Sequence, residues 1–248
     1  MSHPPATSLA ACLPAGHAAQ WRPGLVPARH SEIFASSAEA GGAAAALALA
    51  LDGMRAQGMD AGDASDDRRS VLWVQDKAAL RLGGRPYRPG LPPALRARLV
   101  HVAADNAQDA LFALEEGLRC RDLAFVIGEL AGNPRALGFT ASRRLSLAAE
   151  RHGVPLFLIR LDARRDLSSA RMRWQLRSAA SPHPRWNQAA PGAPSWRAEL
   201  FRARAYRQGE WILRDDGTKL VAEREAAAPP QDHGDLAGAA GGGSLAAS

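Results

Sequence analysis

The stretch from Leu99 to Ile127 reads LVHVAADNAQDALFALEEGLRCRDLAFVI and indicates the fold class by itself. It opens with one short apolar run and closes with another at Leu123–Ile127, each typical of a strand buried on both faces. Between them, residues 106–119 repeat apolar side chains at helical spacing and place their charges off that face. This order predicts two parallel strands joined by a right-handed helical crossover.

The same alternation continues on both sides of this stretch. Further strands are predicted at 71–74 and 156–159, a short strand or turn at 31–34, and helices at 40–57 and 140–152. Thr140 is a candidate N-cap of the last helix, and Gly153 is its candidate C-cap. Residues 83–93 hold three glycines and four prolines, which indicates an irregular loop.

Beyond Arg164 the pattern becomes that of antiparallel strands. Residues 171–177 alternate strictly, so Met172, Trp174 and Leu176 are predicted to face the core and the intervening arginines to face outward. Asp215-Asp216-Gly217 between two apolar runs predicts a hairpin. We therefore expect an α/β fold with a mainly parallel central sheet flanked by helices, and an antiparallel β extension toward the C-terminus.

Composition predicts one globular domain with polar ends. Residues 1–20 and 225–248 are low in complexity and are predicted to be disordered, which leaves a domain at 21–224. The two cysteines make no disulfide framework, and no apolar run is long enough to span a membrane. These features predict a cytoplasmic protein in a reducing compartment.

The chain contains only two lysines, Lys77 and Lys219, and neither follows a glycine. The phosphate-binding motif G-x-x-x-x-G-K-[ST] is therefore absent. The histidines have no metal-ligand spacing, and no serine lies in a G-x-S-x-G context. The sequence thus predicts no cofactor, no metal and no enzyme activity.

Seven segments between about residues 28 and 222 carry a resemblance to known proteins: 71–74, 87–91, 113–119, 126–130, 140–145, 171–174 and 192–200. The order of elements is similar to that of the RecA-type recombinase core. With these segments it resembles more closely the ImuA family, RecA-like accessory proteins of bacterial damage-induced mutagenesis that are sometimes grouped with the SulA cell-division inhibitors.

The resemblance implies a nucleotide site that has lost its chemistry. The phosphate-loop position would be vestigial, at Ser36, Ser37, Gly41 and Gly42. Glu39 adds a negative charge there, and Lys77 stands opposite the water-activating glutamate of recombinases. Gly128 stands where the strand 124–127 should end in an aspartate, and Glu129 is either a displaced acid or a strand end reaching solvent.

Positive charge is concentrated in one half of the chain. Residues 143–207 hold fourteen arginines against four acidic residues, a net +10 compared with +6 for the whole chain. This segment is interpreted as a single-stranded DNA contact, a solvated face, or a surface for an acidic protein. The candidate DNA contacts are Arg160, Arg164, Arg165, Arg171, Arg173 and Arg177.

The resemblance implies a non-catalytic adaptor in SOS-induced, error-prone translesion DNA synthesis, associated with the nucleoid when engaged. The implied partners are an ImuB-like homologue of the Y-family polymerases, an error-prone homologue of the polymerase III α subunit, and RecA. Two alternatives stay open: a SulA-like inhibitor of FtsZ-dependent division, and a DNA-dependent ATPase of the recombinase type. The absent lysine argues against the ATPase.

Overall fold

The computed structural model describes residues 19–39, 41–60 and 68–224, and it confirms the α/β fold. The strands are β1 (Ala19–Gln20), β2 (His30–Ala35), β3 (Ser70–Asp76), β4 (Leu99–Ala104), β5 (Leu123–Ala131), β6 (Leu156–Leu161), β7 (Met172–Ser178), β8 (Ser195–Ala203), β9 (Tyr206–Arg207), β10 (Gly209–Asp215) and β11 (Leu220–Arg224). The helices are α1 (Gly41–Asp60), α2 (Lys77–Gly83), α3 (Pro93–Arg96), α4 (Ala107–Arg119) and α5 (Phe139–His152), with a 3-10 turn at Arg88–Gly90. The termini predicted to be disordered lie outside the described residues, apart from residues 19 and 20, which form β1.

Nine strands form one mixed sheet in the order β11-β10-β8-β7-β2-β6-β5-β3-β4. The six strands from β7 to β4 are parallel to one another. The other three continue the sheet in antiparallel pairs, as predicted. Residues 31–34, predicted as a short strand or turn, belong to β2, which lies near the centre between β6 and β7 and is buried along its whole length.

One face of the sheet packs against α1 and the segment that precedes β2. Met172, Trp174 and Leu176 of β7 are buried on this face, as the alternation predicts. Trp174 makes edge-to-face contacts with Trp21 and Trp211, with ring centroids 4.7 and 6.0 Å apart. Such aromatic pairs stabilise a core beyond the area that they bury.

The opposite face packs against α4 and α5. Helix α4 begins after Asn106, whose side chain accepts a hydrogen bond from the backbone N–H of Asp109 at 2.9 Å. Gly153, in the left-handed conformation with φ 75°, ends α5 as predicted. The predicted Thr140 N-cap is wrong, because the carbonyl of Gly138 already accepts the first helical hydrogen bond, from the N–H of Ser142.

Two boundaries near the end of the parallel strands differ from the sequence prediction. The side chain of Asp76 accepts a hydrogen bond from the Ala79 N–H at 2.7 Å, which starts the unpredicted helix α2 directly after β3. Strand β5 continues past Gly128 to Ala131, because β3 supplies ladder partners as far as Glu129 and β6 supplies them as far as Ala131. Both differences shape the cleft described next.

Candidate functional site

A cleft of about 560 Å³ opens at the carboxyl end of the parallel strands. One wall is formed by residues 37–39 and the first turns of α1, and the other by residues 82–91. Its lining also includes Trp73 from β3 and Glu129 from β5. Open α/β sheets bind their ligands at this end of the strands, so the cleft is the first candidate for a functional site.

The phosphate-loop position forms one wall of the cleft, and its amide groups are bonded within the protein. The N–H of Ser37 donates to Asp162 Oδ1 at 2.9 Å, and that of Ala38 donates to Ser36 Oγ at 3.2 Å. The N–H of Glu39 donates to the carbonyl of Ser36 at 3.3 Å. A phosphate-binding loop must direct such groups at its ligand, and these three point at other acceptors.

Gly41 and Gly42 have a packing role in this wall. A Cβ on Gly42 would lie 2.5 Å from the Cβ of Ala35, and one on Gly41 would lie 2.9 Å from Ser178 Oγ. Neither glycine has a positive φ. Their small size therefore lets the first turn of α1 approach β2 and β7 closely.

Two carboxylates lie beside this loop. Glu39 Oε2 accepts a hydrogen bond from the backbone N–H of Ser178 at 2.5 Å. Hydrogen bonds from Ser37 lower the pKa of Asp162, so this exposed carboxyl is ionised at neutral pH. Lys77 lies at the exposed first position of α2. The field at the loop is therefore unfavourable for a triphosphate.

Glu129 lies in the middle of β5 and is only 4% exposed, so its interpretation as a strand end reaching solvent is wrong. Its Oε1 accepts a hydrogen bond from Trp73 Nε1 at 2.7 Å, and its Oε2 accepts one from Gln75 Nε2 at 3.1 Å. Burial raises the pKa of Glu129, and the bonds from Gln75 and Trp73 oppose that rise. Among the described residues, no arginine, lysine or histidine forms an ion pair with this carboxylate.

Gln75 links the cleft floor to the opposite wall. Its Nε2 donates to Glu129 and to the carbonyl of Gly84, at 3.1 and 2.9 Å, while its Oε1 lies 2.9 Å from His101 Nε2. Both protons of the Gln75 amide nitrogen are donated in these two bonds, so the amide oxygen acts as the acceptor toward His101. His101 therefore carries a proton on Nε2. Burial, followed by Arg85 and Arg88, lowers the pKa of His101 and favours this neutral tautomer.

Gly128 faces away from the cleft. A Cβ at this position would lie 3.0 Å from the methyl groups of Leu114 and Leu158, beneath α4. An aspartate at this position of β5 would therefore be directed into the apolar core on the other face of the sheet. Within β5 it is Glu129, one residue on, that directs its carboxylate toward the cleft.

Arg160 and Arg173 lie inside the protein, on the α5 face of the sheet, with 1% and 4% exposure. Arg173 Nε donates to Glu32 Oε2 at 2.7 Å, and Arg160 Nη1 lies 3.8 Å from Glu32 Oε1. Asp166 lies 3.3 Å from Arg160 and 3.6 Å from Arg173. The two guanidinium groups also flank the ring of Phe34, at 5.6 and 5.1 Å from its centroid. We call Glu32, Arg160, Asp166 and Arg173 the buried ion cluster.

The cluster changes the interpretation of the arginine-rich half. The strict alternation at 171–177 predicts that Arg173 faces outward, and the structure corrects this because Glu32 of the adjacent β2 lies opposite Arg173 in register. Arg160 is likewise enclosed. Neither guanidinium reaches the surface, where phosphates would bind. The one sequence signal of the cluster was Glu32, a carboxylate directly before the apolar residues Ile33 and Phe34.

The buried ion cluster also makes the protein acid-sensitive through His30. Burial, then Arg173 and Arg171, lowers the pKa of fully buried His30 to about 3. The unfolded chain binds that proton near pH 6.5, so stability is complete above pH 6.5 and falls toward pH 3 by up to ~1.4 kcal/mol per pH unit. We expect His30→Leu to flatten this decline in urea denaturation. The exposed His183→Gln should leave it unchanged, and equal slopes in all three proteins would contradict the assignment.

The other four candidate arginines lie at the surface and do not form one patch. Arg165 pairs with Glu199 at 2.7 Å and stacks on the Phe201 ring at 3.8 Å. Arg171 donates to Glu150 at 2.7 Å, whereas Arg177, at the other end of β7, is exposed opposite Arg197. Arg164 is exposed, and its backbone N–H donates to Asn133 Oδ1 at 2.8 Å. Side chains six residues apart on a strand are about 20 Å apart, so Arg171 and Arg177 serve separate surfaces.

The loop between β6 and β7 combines exposed charge with exposed apolar area. Leu167 is 78% exposed, two residues from Arg165, and the loop is tied to α5 by the bond between Ser168 and Ser142 at 2.9 Å. Phe139, 50% exposed, lies one helical turn before Ser142. The sequence did not identify Phe139 as a candidate surface residue. Phe139 is the first residue of α5, whereas the helix was predicted to begin one residue later, at position 140.

The geometry defines an α/β protein with a cleft at the carboxyl end of a mostly parallel sheet and a phosphate-loop position bonded internally. Within 19–39, 41–60 and 68–224, no helix could cross a bilayer and no group of three or more His, Cys, Asp and Glu residues could hold a metal ion. No family model matches the chain.

Comparison with curated proteins connects this fold to one family. The chain is 35% identical over 159 residues to Protein ImuA of Caulobacter vibrioides, in strain NA1000 / CB15N and in strain ATCC 19089 / CIP 103742 / CB 15. The match covers 58% of this chain and 59% of the length of these relatives. The resemblance predicted from the sequence is thus confirmed over this part of the chain, which is similar to Protein ImuA along about three fifths of that protein's length.

Proposed function

We propose that the chain is a non-catalytic accessory protein of SOS-induced, error-prone translesion DNA synthesis. In this proposal it acts as an adaptor for a mutagenic polymerase complex, with residues 21–224 as a RecA-like domain. The similarity to Protein ImuA carries the proposal. The internally bonded phosphate-loop position supports the non-catalytic part of it.

Nucleotide turnover requires positive charge at the phosphate loop, where the structure instead places the carboxylates of Asp162 and Glu39. Phosphoryl transfer depends on positioning and on neutralising the charge that develops at the γ-phosphate. Here the Ser37 N–H is bonded to Asp162, and Glu39 lies in the same loop. Lys77 is exposed to solvent at the first position of helix α2. We infer that neither a triphosphate nor its Mg²⁺ has a prepared site.

The corresponding prediction concerns ATP turnover. We expect no phosphate release above background in the presence of single-stranded DNA, under conditions in which a true recombinase is active. Equilibrium binding of Mg-ATP should also be weak or absent. ATP hydrolysis that disappears on Glu129→Gln would contradict the proposal and favour the recombinase-type ATPase.

The proposed partners are an ImuB-like homologue of the Y-family polymerases, an error-prone polymerase III α homologue, and RecA. The proposed place of action is the cytoplasm, at the nucleoid. The edge strand β4 and residues 83–93 are proposed contact surfaces, since β3 is the one strand among residues 19–39, 41–60 and 68–224 that pairs with β4. The tail 226–248, proposed from its composition as a further contact, lies outside the described residues.

Single-stranded DNA is a further proposed partner, through the loop between β6 and β7. Arg164 and Arg165 are exposed there, and Leu167 and Phe139 supply apolar surface nearby. Such a surface offers phosphate contacts and an aromatic ring on which a base can stack. Arg160 and Arg173 are not retained as DNA contacts because they are buried, whereas Arg171 and Arg177 stay secondary candidates.

The prediction for DNA binding is a change in salt dependence. Replacing Arg164 and Arg165 together by alanine should weaken binding to every single-stranded sequence and flatten the slope of log K against log[salt] by roughly one to two units. Replacing exposed Arg119 and Arg121 together is the matched control, because it removes the same charge from the opposite end of the strands, where α4 leads into β5. An equal effect of both double variants on affinity and slope would place the DNA elsewhere.

A further inference from the structure

Glu129 is a buried carboxylate that borders a cleft and has no counter-ion within the described part of the chain. It is 4% exposed, and its only hydrogen-bond donors among the described residues are the neutral side chains of Trp73 and Gln75. Burying a charge in this way is costly unless another charge compensates it. Each carboxylate oxygen accepts one of these bonds and keeps acceptor capacity for a further donor.

The surroundings of Glu129 favour a cation with an apolar stem. Beside Glu129, the cleft presents the indole of Trp73 and the exposed ring of Tyr87. Leu47 and Leu91 contribute apolar wall on either side. A guanidinium group on an aliphatic chain matches this combination, because it pairs with carboxylates and stacks on aromatic rings.

We propose that this cleft is a receptor for an arginine side chain of a partner protein, with the guanidinium bound by Glu129. The cleft volume of about 560 Å³ also accommodates residues flanking that arginine.

The positive charge of Arg85 makes the proposal testable, because it fixes the direction in which a substitution should change ligand affinity. It lines the cleft and is exposed, so its charge weakens the attraction of a cation and strengthens that of an anion. Replacing Arg85 and replacing Glu129 must therefore act in opposite directions on a cationic ligand. For a nucleotide both directions are reversed.

The experiment uses the isolated full chain, so its result does not depend on the proposed role in mutagenesis. The probe is N-acetyl-arginine methylamide, and the matched control is the uncharged N-acetyl-citrulline methylamide. The reporter is the indole N–H resonance of Trp73, which donates directly to Glu129 and is assigned with Trp73→Phe. We expect the arginine probe to shift this resonance with an affinity at least about tenfold higher than that of the citrulline probe.

The variants give the deciding comparison. Glu129→Gln should lower the affinity for the arginine probe by about tenfold or more, and Arg85→Ala should raise it. Both variants are expected to fold, since the first relieves a buried charge and the second alters an exposed loop. Equal affinities for the two probes would overturn the proposal, and so would a Trp73 shift produced by AMP or ATP but not by the arginine probe.

Discussion

Glu32→Gln should destabilise the protein by about 3–5 kcal/mol, because it removes the fully buried counter-charge of Arg160 and Arg173 and leaves them the partly exposed Asp166 as the remaining carboxylate of the cluster. Glu32 is fully buried and accepts hydrogen bonds from Arg173 Nε at 2.7 Å and Ser168 Oγ at 2.8 Å. The substitution preserves side-chain size, so no cavity contributes to the loss. Urea denaturation of the wild-type and variant chains measures the difference.

A matched control separates this effect from the general cost of losing a salt bridge. Glu199→Gln removes a carboxylate that pairs with Arg165 at 2.7 Å, but that pair is about one-third to two-fifths exposed. Exposed pairs contribute about 0–1 kcal/mol, so this variant should unfold almost like the wild type. Removing both charges with Glu32→Leu and Arg173→Met should recover most of the stability lost in Glu32→Gln. Similar losses in Glu32→Gln and Glu199→Gln would show that the cluster is not buried as described.

The second large effect concerns mutagenesis in the cell. Deleting the gene should lower the mutation frequency induced by DNA damage, while leaving growth without damage unchanged. The reason is that an adaptor is needed only when a mutagenic polymerase complex must assemble. Overexpression of the chain should not produce long, undivided cells. Filamentation on overexpression, with mutagenesis intact in the deletion strain, would favour the SulA-like inhibitor of FtsZ.

The fold could be predicted from the sequence where hydrophobic periodicity is strong. The buried strands at 71–74, 123–127 and 156–159 and the helix at 106–119 all exist, because apolar runs and helical spacing have few other solutions. The antiparallel extension follows equally from alternation and a turn signal. Helix α2 was missed, since its start depends on the side chain of Asp76 capping the chain directly after β3.

The candidate site could be predicted only in outline. The absence of a phosphate-binding lysine is readable in the sequence, but the hydrogen bond from Ser37 to Asp162 joins residues 125 positions apart. Alternation correctly places Arg173 on the face of the sheet opposite Trp174. It does not show whether another part of the chain covers that face. The loop between β6 and β7 covers it there, through Asp166 and Ser168. Contacts between residues distant in sequence thus decided which arginines are buried and which are exposed.

The most direct test is the damage-induced mutation frequency of a deletion strain that carries the chain with Glu39→Ala and Lys77→Ala. Both substitutions alter the inferred nucleotide position, and both side chains lie outside the buried ion cluster. If the chain is an adaptor that uses no nucleotide chemistry, this variant restores mutagenesis to the level given by the wild-type chain. A variant that is folded and present at wild-type levels but leaves mutagenesis at the deletion level would contradict that role.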